Sequence, residues 1–101
     1  MNTRITLNGP CATLAGPVTL ANVNAVLDEG NRVFKAASVT VDLTGVTEVD
    51  STAVSVLLEW RRAALRDKRA IGYVNTPENL KSLIKLYGVS ELLAEQQGVE
   101  S

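Results

Sequence analysis

The sequence contains no histidine, and this absence excludes much of the chemistry that small proteins perform. Histidine is the commonest general base and a common metal ligand, so a Ser-His-Asp triad and a histidine-based zinc site are both excluded. The Gly-rich loops that cradle phosphates, G-x-x-x-x-G-K-[ST] and G-x-G-x-x-G, are absent as well. We therefore expect a protein that is not an enzyme and has no catalytic residues, no metal and no cofactor.

Cysteine, aromatic residues and long apolar runs are also scarce. Cys11 is the only cysteine, so no internal disulfide can form, which is compatible with a reducing compartment. Aromatic residues make up 4% of the chain, so the core must consist mainly of Val, Leu, Ile and Ala. No stretch approaches the ~18 apolar residues of a membrane span, and the N-terminus lacks the apolar run of a signal peptide. These features predict a cytoplasmic protein that reaches a membrane only through a partner.

The charge balance argues against nucleic-acid binding. Ten basic and eleven acidic residues give a net charge of −1, whereas a non-specific nucleic-acid binder is clearly basic. Five of the basic residues are nevertheless concentrated between Arg61 and Arg69. Such a cluster is most often the solvated end of a helix, where cations also interact favourably with the helix dipole. The alternative is a docking patch for a partner.

We expect one domain over residues 1–101, with a core at about 3–93 and a frayed C-terminal tail. Along the chain, the spacing of apolar residues alternates between the period of a strand and that of a helix. Strands are predicted at 4–7, 11–14, 38–43 and 70–74, helices at 22–35, 52–66 and 77–87, and a short element at 89–93. Turns are predicted at Gly9-Pro10 and Gly16-Pro17, and the third strand is predicted to end near Gly45. This β-β-α-β-α-β-α order predicts an α/β fold, with a four- to five-stranded mixed and mostly parallel sheet, helices packed on it and an antiparallel first hairpin.

The most informative junction is Asp50-Ser51, directly before the second predicted helix. Both side chains can accept hydrogen bonds from free backbone N–H groups at a helix start, and capping alone would explain them. In the functional interpretation, Ser51 presents an exposed hydroxyl. A phosphate on it would meet the positive end of the helix dipole, would add negative charge beside Asp50 and Glu48, and could block a docking surface.

On a helical wheel, the second predicted helix separates into an apolar and a polar face. The residues expected to face the sheet are Ala53, Val54, Leu57, Leu58, Ala64 and Leu65. The polar face carries Ser51, Ser55, Glu59, Arg62 and Arg66. Beside the polar face lie Thr52, Val56, Trp60 and Ala63, and at this border Trp60 suits a core or an interface equally well. In the third helix, Leu80, Leu83, Ile84 and Tyr87 have the spacing of a buried face.

A family signature is matched by the strand Val41-Asp42-Leu43 and by the segment Asp50-Ser51-Thr52-Ala53-Val54. It is that of the STAS domain family, which the sequence resembles over roughly residues 3–93. The segments 57–62 (LLEWRR) and 85–89 (KLYGV) are most similar to the MlaB group of STAS subunits. This resemblance implies a non-catalytic subunit, peripheral on the inner face of the inner membrane. It would bind and support the cytoplasmic ATPase of a phospholipid-transporting ABC complex that maintains outer-membrane lipid asymmetry. The implied partner-binding surface comprises Asp50, Ser51, Thr52, Ser55, Glu59, Trp60, Arg62 and Lys85.

The same resemblance leaves a second function open, that of an anti-sigma factor antagonist switched by serine phosphorylation. Ser51 occupies the position that is phosphorylated in the family's switch proteins. Ala53 stands where those antagonists usually have glycine, which narrows the room for an approaching kinase or partner backbone. This departure and the segment 57–62 count against the alternative. A stand-alone small-molecule binder has no support beyond the fold.

Overall fold

Four strands and three helices alternate along residues 3–89, the part of the chain that the computed structural model describes. The elements are β1 (Arg4–Asn8), β2 (Cys11–Val18), α1 (Val23–Val33), β3 (Ser38–Val49), α2 (Ser51–Arg66), β4 (Ala70–Val74) and α3 (Glu78–Leu86). This is the predicted order. The short element predicted at 89–93 and the C-terminal tail lie almost entirely outside the described residues.

The four strands form one sheet in the order β1-β2-β3-β4. β1 and β2 pair antiparallel, and the turn between the paired residues Asn8 and Cys11 contains Gly9 at φ +66°, a left-handed conformation that suits a residue without a β-carbon. β2 pairs in parallel with β3, and β3 pairs in parallel with β4. The α/β fold with a mixed, mostly parallel sheet is therefore confirmed, with four strands.

Two strands are longer than predicted because glycine and proline mark irregularities within them rather than turns. The pairing between β2 and β3 shifts register between Thr13 and Ala15 and again between Gly16 and Val18, so that β3 contributes an extra residue at each place. Such bulges allow a strand to continue where its ladder is interrupted, and they accommodate a proline that has no N–H to donate. The turn predicted at Gly16-Pro17 and the strand end predicted near Gly45 are wrong for this reason.

Gly45 is required by the close pairing of these two strands. A β-carbon built on Gly45 would lie 2.9 Å from the β-carbon of Ala15 and 3.2 Å from its α-carbon. Asp42 stabilises the first bulge, since its Oδ1 accepts hydrogen bonds from the backbone N–H of Thr44 at 2.9 Å and from the Thr44 hydroxyl at 2.6 Å. These bonds lower the pKa of Asp42, with the Thr44 hydroxyl as the largest cause.

The core lies between the sheet and the helices, as the burial along β3 shows. Val39, Val41 and Leu43 alternate with more exposed residues and are buried, and they belong to the hydrophobic cluster that also contains buried residues of all three helices. The opposite face of the sheet carries exposed residues of β2, namely Cys11 and Thr13. None of the helices described within residues 3–89 has the length and apolar character needed to cross a membrane.

Burial on α2 differs from the helical wheel in two respects. Val56 and Trp60 are buried, because α1 packs beside α2 and covers a side of the helix that does not face the sheet. Leu65, which was expected to face the sheet, is instead exposed in the last turn. The prediction for Leu65 was wrong because it assumed that the sheet covers the full length of the helix.

The third helix begins one residue later and ends one residue earlier than predicted. Pro77 is the N-cap rather than the first helical residue, and α3 starts at Glu78. At the other end, Gly88 has φ +71°, the N–H of Gly88 donates to the carbonyl of Lys85, and the N–H of Val89 donates to the carbonyl of Ile84. These two bonds form a Schellman motif, which confirms Gly88 as the residue that ends the helix.

Candidate functional site

Asp50 fixes the N-terminal end of α2. Its Oδ1 accepts hydrogen bonds from the backbone N–H of Thr52 at 2.9 Å and from the Thr52 hydroxyl. Its Oδ2 accepts a hydrogen bond at 2.9 Å from the backbone N–H of Leu20, in the segment between β2 and α1. Hydrogen bonds to the charged carboxylate lower the pKa of Asp50, the largest contribution coming from the Thr52 hydroxyl.

This geometry assigns Asp50 and Thr52 a structural role. Both carboxylate oxygens of Asp50 accept hydrogen bonds from the chain itself, and the Thr52 hydroxyl donates to Asp50. The capping interpretation of Asp50 is therefore supported by direct contacts, and the same contacts hold the start of α2 against the segment before α1. Ser51 is not a cap but the first residue of the helix.

Ser51 begins an exposed stripe along the outer face of α2. Ser51, Ser55, Glu59 and Arg62 are all exposed, as the polar face of the helical wheel predicted. Within residues 3–89, the Ser51 side chain makes no hydrogen bond. Glu59 and Arg62 form an ion pair at 2.9 Å, which contributes little to stability because both side chains are in contact with solvent. The stripe thus leaves polar groups available to another molecule.

A shallow groove lies beside this stripe. It has a volume of about 300 Å³ and is lined by Ser51, Val54, Ser55, Leu58 and Tyr87. Tyr87 follows the last residue of α3 and is 52% exposed, so it is a wall of the groove and not a core residue. The helical spacing had placed it on the buried face, but α3 ends at Leu86 and the spacing no longer applies beyond it. The groove combines the hydroxyl-bearing side chains of Ser51, Ser55 and Tyr87 with the apolar side chains of Val54 and Leu58.

Lys85 is not brought into this groove. It lies in the last turn of α3 with an exposed side chain, close in sequence to Tyr87, but it is absent from the residues that line the groove. A contact between Lys85 and a partner therefore remains a prediction.

Trp60 is a core residue, and its assignment to the partner-binding surface is wrong for the folded chain. Its side chain is only 2% exposed. The indole N–H donates to the carbonyl of Leu27 at 3.2 Å, and the ring packs edge-to-face on Phe34 with 5.0 Å between centroids. A buried indole with a satisfied N–H contributes to packing between α1 and α2, and it offers no surface to another protein.

The part of the chain that is described contains no group of three or more Cys, Asp or Glu side chains placed to hold a metal ion.

Burial raises the pKa of the Tyr73 phenol, whose hydroxyl donates to the carbonyl of Leu57 at 2.8 Å inside the core. This tyrosine connects β4 to α2 and is remote from solvent. Tyr73 is therefore not available to another molecule, whereas the exposed stripe and the groove at the start of α2 are.

The sequence matches one protein-family model, and no curated protein matches it significantly. The matching family is described as "Mlab, STAS domain", and the match covers residues 1–94.

Solved structures of anti-sigma factor antagonists have the same fold. Unphosphorylated SpoIIAA matches with a TM-score of 0.70 and 12% identity, covering 93% of this chain and 87% of that one. An anti-sigma factor antagonist from Mycobacterium paratuberculosis matches with a TM-score of 0.71 and 14% identity, covering 97% and 86%. The Bacillus cell fate determinant SpoIIAA in its phosphorylated form matches with a TM-score of 0.64 and 12% identity, covering 93% and 90%. At these identities the likeness concerns the fold alone.

Proposed function

This chain belongs to the STAS domain family, and from that premise we propose that it is a non-catalytic subunit of a phospholipid-transporting ABC complex. In this role it binds the cytoplasmic ATPase of the complex and supports its assembly and activity. It is held at the inner face of the inner membrane through that partner, and the complex maintains the lipid asymmetry of the outer membrane. STAS domains are generally regulatory or interaction domains, which fits a binding role.

The observation that carries this proposal is the surface around Ser51. The hydroxyl is exposed at the start of α2, and the groove between Ser51 and Tyr87 lies directly beside it. Polar groups around an apolar depression are typical of a surface that receives a side chain of another protein. Because Asp50 holds the helix start rigidly through contacts with Thr52 and Leu20, this surface is formed before a partner binds.

The description of the matching family, which names Mlab, favours the transporter subunit among the functions of STAS domains. In the proposed contact, Ser51, Ser55, Glu59 and Arg62 face the ATPase, and Lys85 adds a contact at the edge. Trp60 takes no part, since its ring is buried.

Reconstitution with the cytoplasmic ATPase of the proposed transport complex tests the proposal. We expect a complex that survives size-exclusion chromatography and is lost with Ser51→Glu, because a carboxylate would then stand at the centre of the contact. Ser38→Glu is the matched control, since Ser38 is also exposed but begins β3, the strand whose far end leads to Asp50 and Ser51. If the two substitutions have the same effect, or if no complex forms, the proposal is wrong.

An anti-sigma factor antagonist is the second candidate, and one observation favours it. Ala53 is buried, so its methyl group lies in the core and does not narrow the surface at Ser51. The alanine at position 53 therefore does not hinder the approach of a kinase to Ser51. Intact-mass spectrometry of the protein from its native cells distinguishes the candidates: stoichiometric phosphate on Ser51 that changes with growth conditions supports the antagonist.

A further inference from the structure

The C-terminal end of α2 carries a basic cluster, of which the proposed ATPase contact uses only Arg62. Between residues 59 and 69 there are five basic side chains and two acidic ones, Glu59 and Asp67. Arg62 pairs with Glu59 at 2.9 Å. Asp67 is shared between Arg66, at 3.7 Å, and Arg69, at 3.4 Å. The cluster therefore has three positive charges in excess of its own carboxylates.

Two of these cations line one cleft where the end of α2 meets the start of β4. The cleft has a volume of about 240 Å³, and its lining residues are Arg61, Ala64, Leu65, Arg69, Ala70 and Ile71. Within residues 3–89, Arg61 forms no ion pair. Arg69 has a side chain that is only 15% exposed, and its Nη1 is buried without a hydrogen-bond acceptor among those residues. A buried guanidinium nitrogen without an acceptor is unfavourable, and an anion in the cleft would compensate the positive charge of the same guanidinium group.

The backbone holds Arg69 at this place through an unfavourable turn. The N–H of Arg69 donates to the carbonyl of Ala64 at 2.7 Å, and the N–H of Lys68 donates to the carbonyl of Leu65 at 3.1 Å, which forms a Schellman motif. Lys68 has φ +60°, a conformation that is costly for a residue with a β-carbon.

We propose that this cleft binds a phosphate group between the guanidinium groups of Arg61 and Arg69. Planar guanidinium groups bind phosphate oxygens through paired hydrogen bonds. A phosphate group carries one negative charge in a phospholipid diester and up to two in a monoester, and it presents more acceptor oxygens to the two guanidinium groups than a carboxylate does. The apolar residues Leu65 and Ile71 would contact the carbon atoms attached to such a phosphate. A soluble phosphate ester and a phospholipid headgroup share this chemistry.

The first experiment titrates the isolated chain with inorganic phosphate and with glycerol 3-phosphate, at ionic strength held constant with chloride, and follows backbone amide shifts by NMR. We expect saturable shifts confined to residues around the cleft. Arg61→Gln and Arg69→Gln should each weaken binding by about tenfold or more, since each removes a charge-assisted hydrogen bond. Arg66→Gln is the matched control: its side chain is 70% exposed, it does not line the cleft, and the charge change is identical.

The second experiment distinguishes the sources of phosphate by co-sedimentation with vesicles of phosphatidylglycerol or of phosphatidylcholine. Saturable binding of the soluble phosphates assigns the site to a soluble ester. Binding to phosphatidylglycerol vesicles alone, with the same dependence on Arg61 and Arg69, assigns it to a lipid headgroup. Equal losses of binding in all three variants would show diffuse charge attraction and overturn the proposal, as would the absence of saturable binding to any probe.

Thermal melting checks that each variant folds. If Arg69→Gln does not fold, the comparison of Arg61→Gln with Arg66→Gln is sufficient to test the proposal. Because no ATPase is present, the outcome is independent of the proposed function.

Discussion

Gly30 of α1 and Trp60 of α2 are in such close contact that a β-carbon on Gly30 would lie 2.3 Å from Cε2 of the indole. The two helices can approach this closely only because position 30 has no side chain. Glycine in a helix interior is less favourable than alanine by about 1 kcal/mol. Its presence in the middle of α1 is therefore explained by the indole, which occupies the space a side chain would need.

Gly30→Ala should destabilise the domain by about 2 kcal/mol, because overpacking against a rigid ring outweighs the gain in helix propensity. Urea denaturation followed by the fluorescence of Trp60, the only tryptophan, measures this effect. Asn31→Ala is the control, since Asn31 is the next residue along α1 and is exposed. We expect its effect to stay within about 0.5 kcal/mol. A Gly30→Ala protein as stable as the parent would contradict the contact.

This contact also shows why the sequence predicted some features and missed others. The order of elements follows from periodicity and turn residues, which are local signals, and it was predicted correctly. The burial of Trp60 depends on Gly30, which is thirty positions away in the chain, and no local pattern in the sequence links the two residues. The continuation of β3 past Gly45 depends on pairing with β2, so it too was missed.

The candidate site also contains some features that the sequence predicted and others that it missed. Asp50 and Ser51 stand out because a cap and a hydroxyl precede an amphipathic helix, and that pattern is local. Tyr87 was missed because the relevant signal is the place where α3 ends, and helix ends are the least certain part of a sequence-based prediction. The Arg61–Arg69 cluster was visible in the sequence. The cleft between Arg61 and Arg69 depends on how β4 returns beside α2.

Asp50→Ala should cost about 1 kcal/mol at neutral pH, since the start of α2 loses its cap. The pKa of Asp50 is lowered on folding, so its contribution is fully present above the pKa of the unfolded chain, about 4. The contribution is lost as the pH falls through the lower pKa of the folded state. The stability difference between parent and Asp50→Ala should therefore shrink below pH 4 in urea titrations. Asp28→Ala is the control, because it also removes one carboxylate, at an exposed position in the middle of α1, without removing a helix cap.

Tyr73→Phe should destabilise the domain by about 1 kcal/mol, because it removes the buried hydrogen bond to the carbonyl of Leu57 and leaves the packing of the ring unchanged. Tyr87→Phe makes the identical chemical change at a position that is half exposed, and it should have almost no effect. Chemical denaturation of both variants gives the comparison. Similar losses for the two would mean that the Tyr73 hydroxyl does not contribute to stability.

Lys68→Gly should stabilise the domain by about 1 kcal/mol, since glycine adopts the φ of +60° without the strain that a β-carbon introduces. Lys68→Ala removes the same charge and keeps the β-carbon, so it should give no such gain. The difference between the two melting temperatures isolates the backbone effect from electrostatics. A gain shared by both variants would instead assign the effect to relief of repulsion within the basic cluster.

Tyr87→Ala should weaken binding of the proposed ATPase partner by about tenfold, a loss typical of an aromatic side chain at the centre of an interface. The substitution removes one wall of the groove beside Ser51, and because Tyr87 is half exposed the domain should remain nearly as stable as the parent. Calorimetric titration of the ATPase gives the affinity.

Leu86→Ala is the control for that experiment, because Leu86 is the neighbouring residue, is more exposed than Tyr87 and does not line the groove. If the ATPase inserts a side chain between Ser51 and Tyr87, only Tyr87→Ala should reduce the affinity. The fluorescence of Trp60 should stay unchanged on binding, since the indole is buried away from that surface. A large change in its emission would mean that the ATPase contacts or rearranges the packing between α1 and α2.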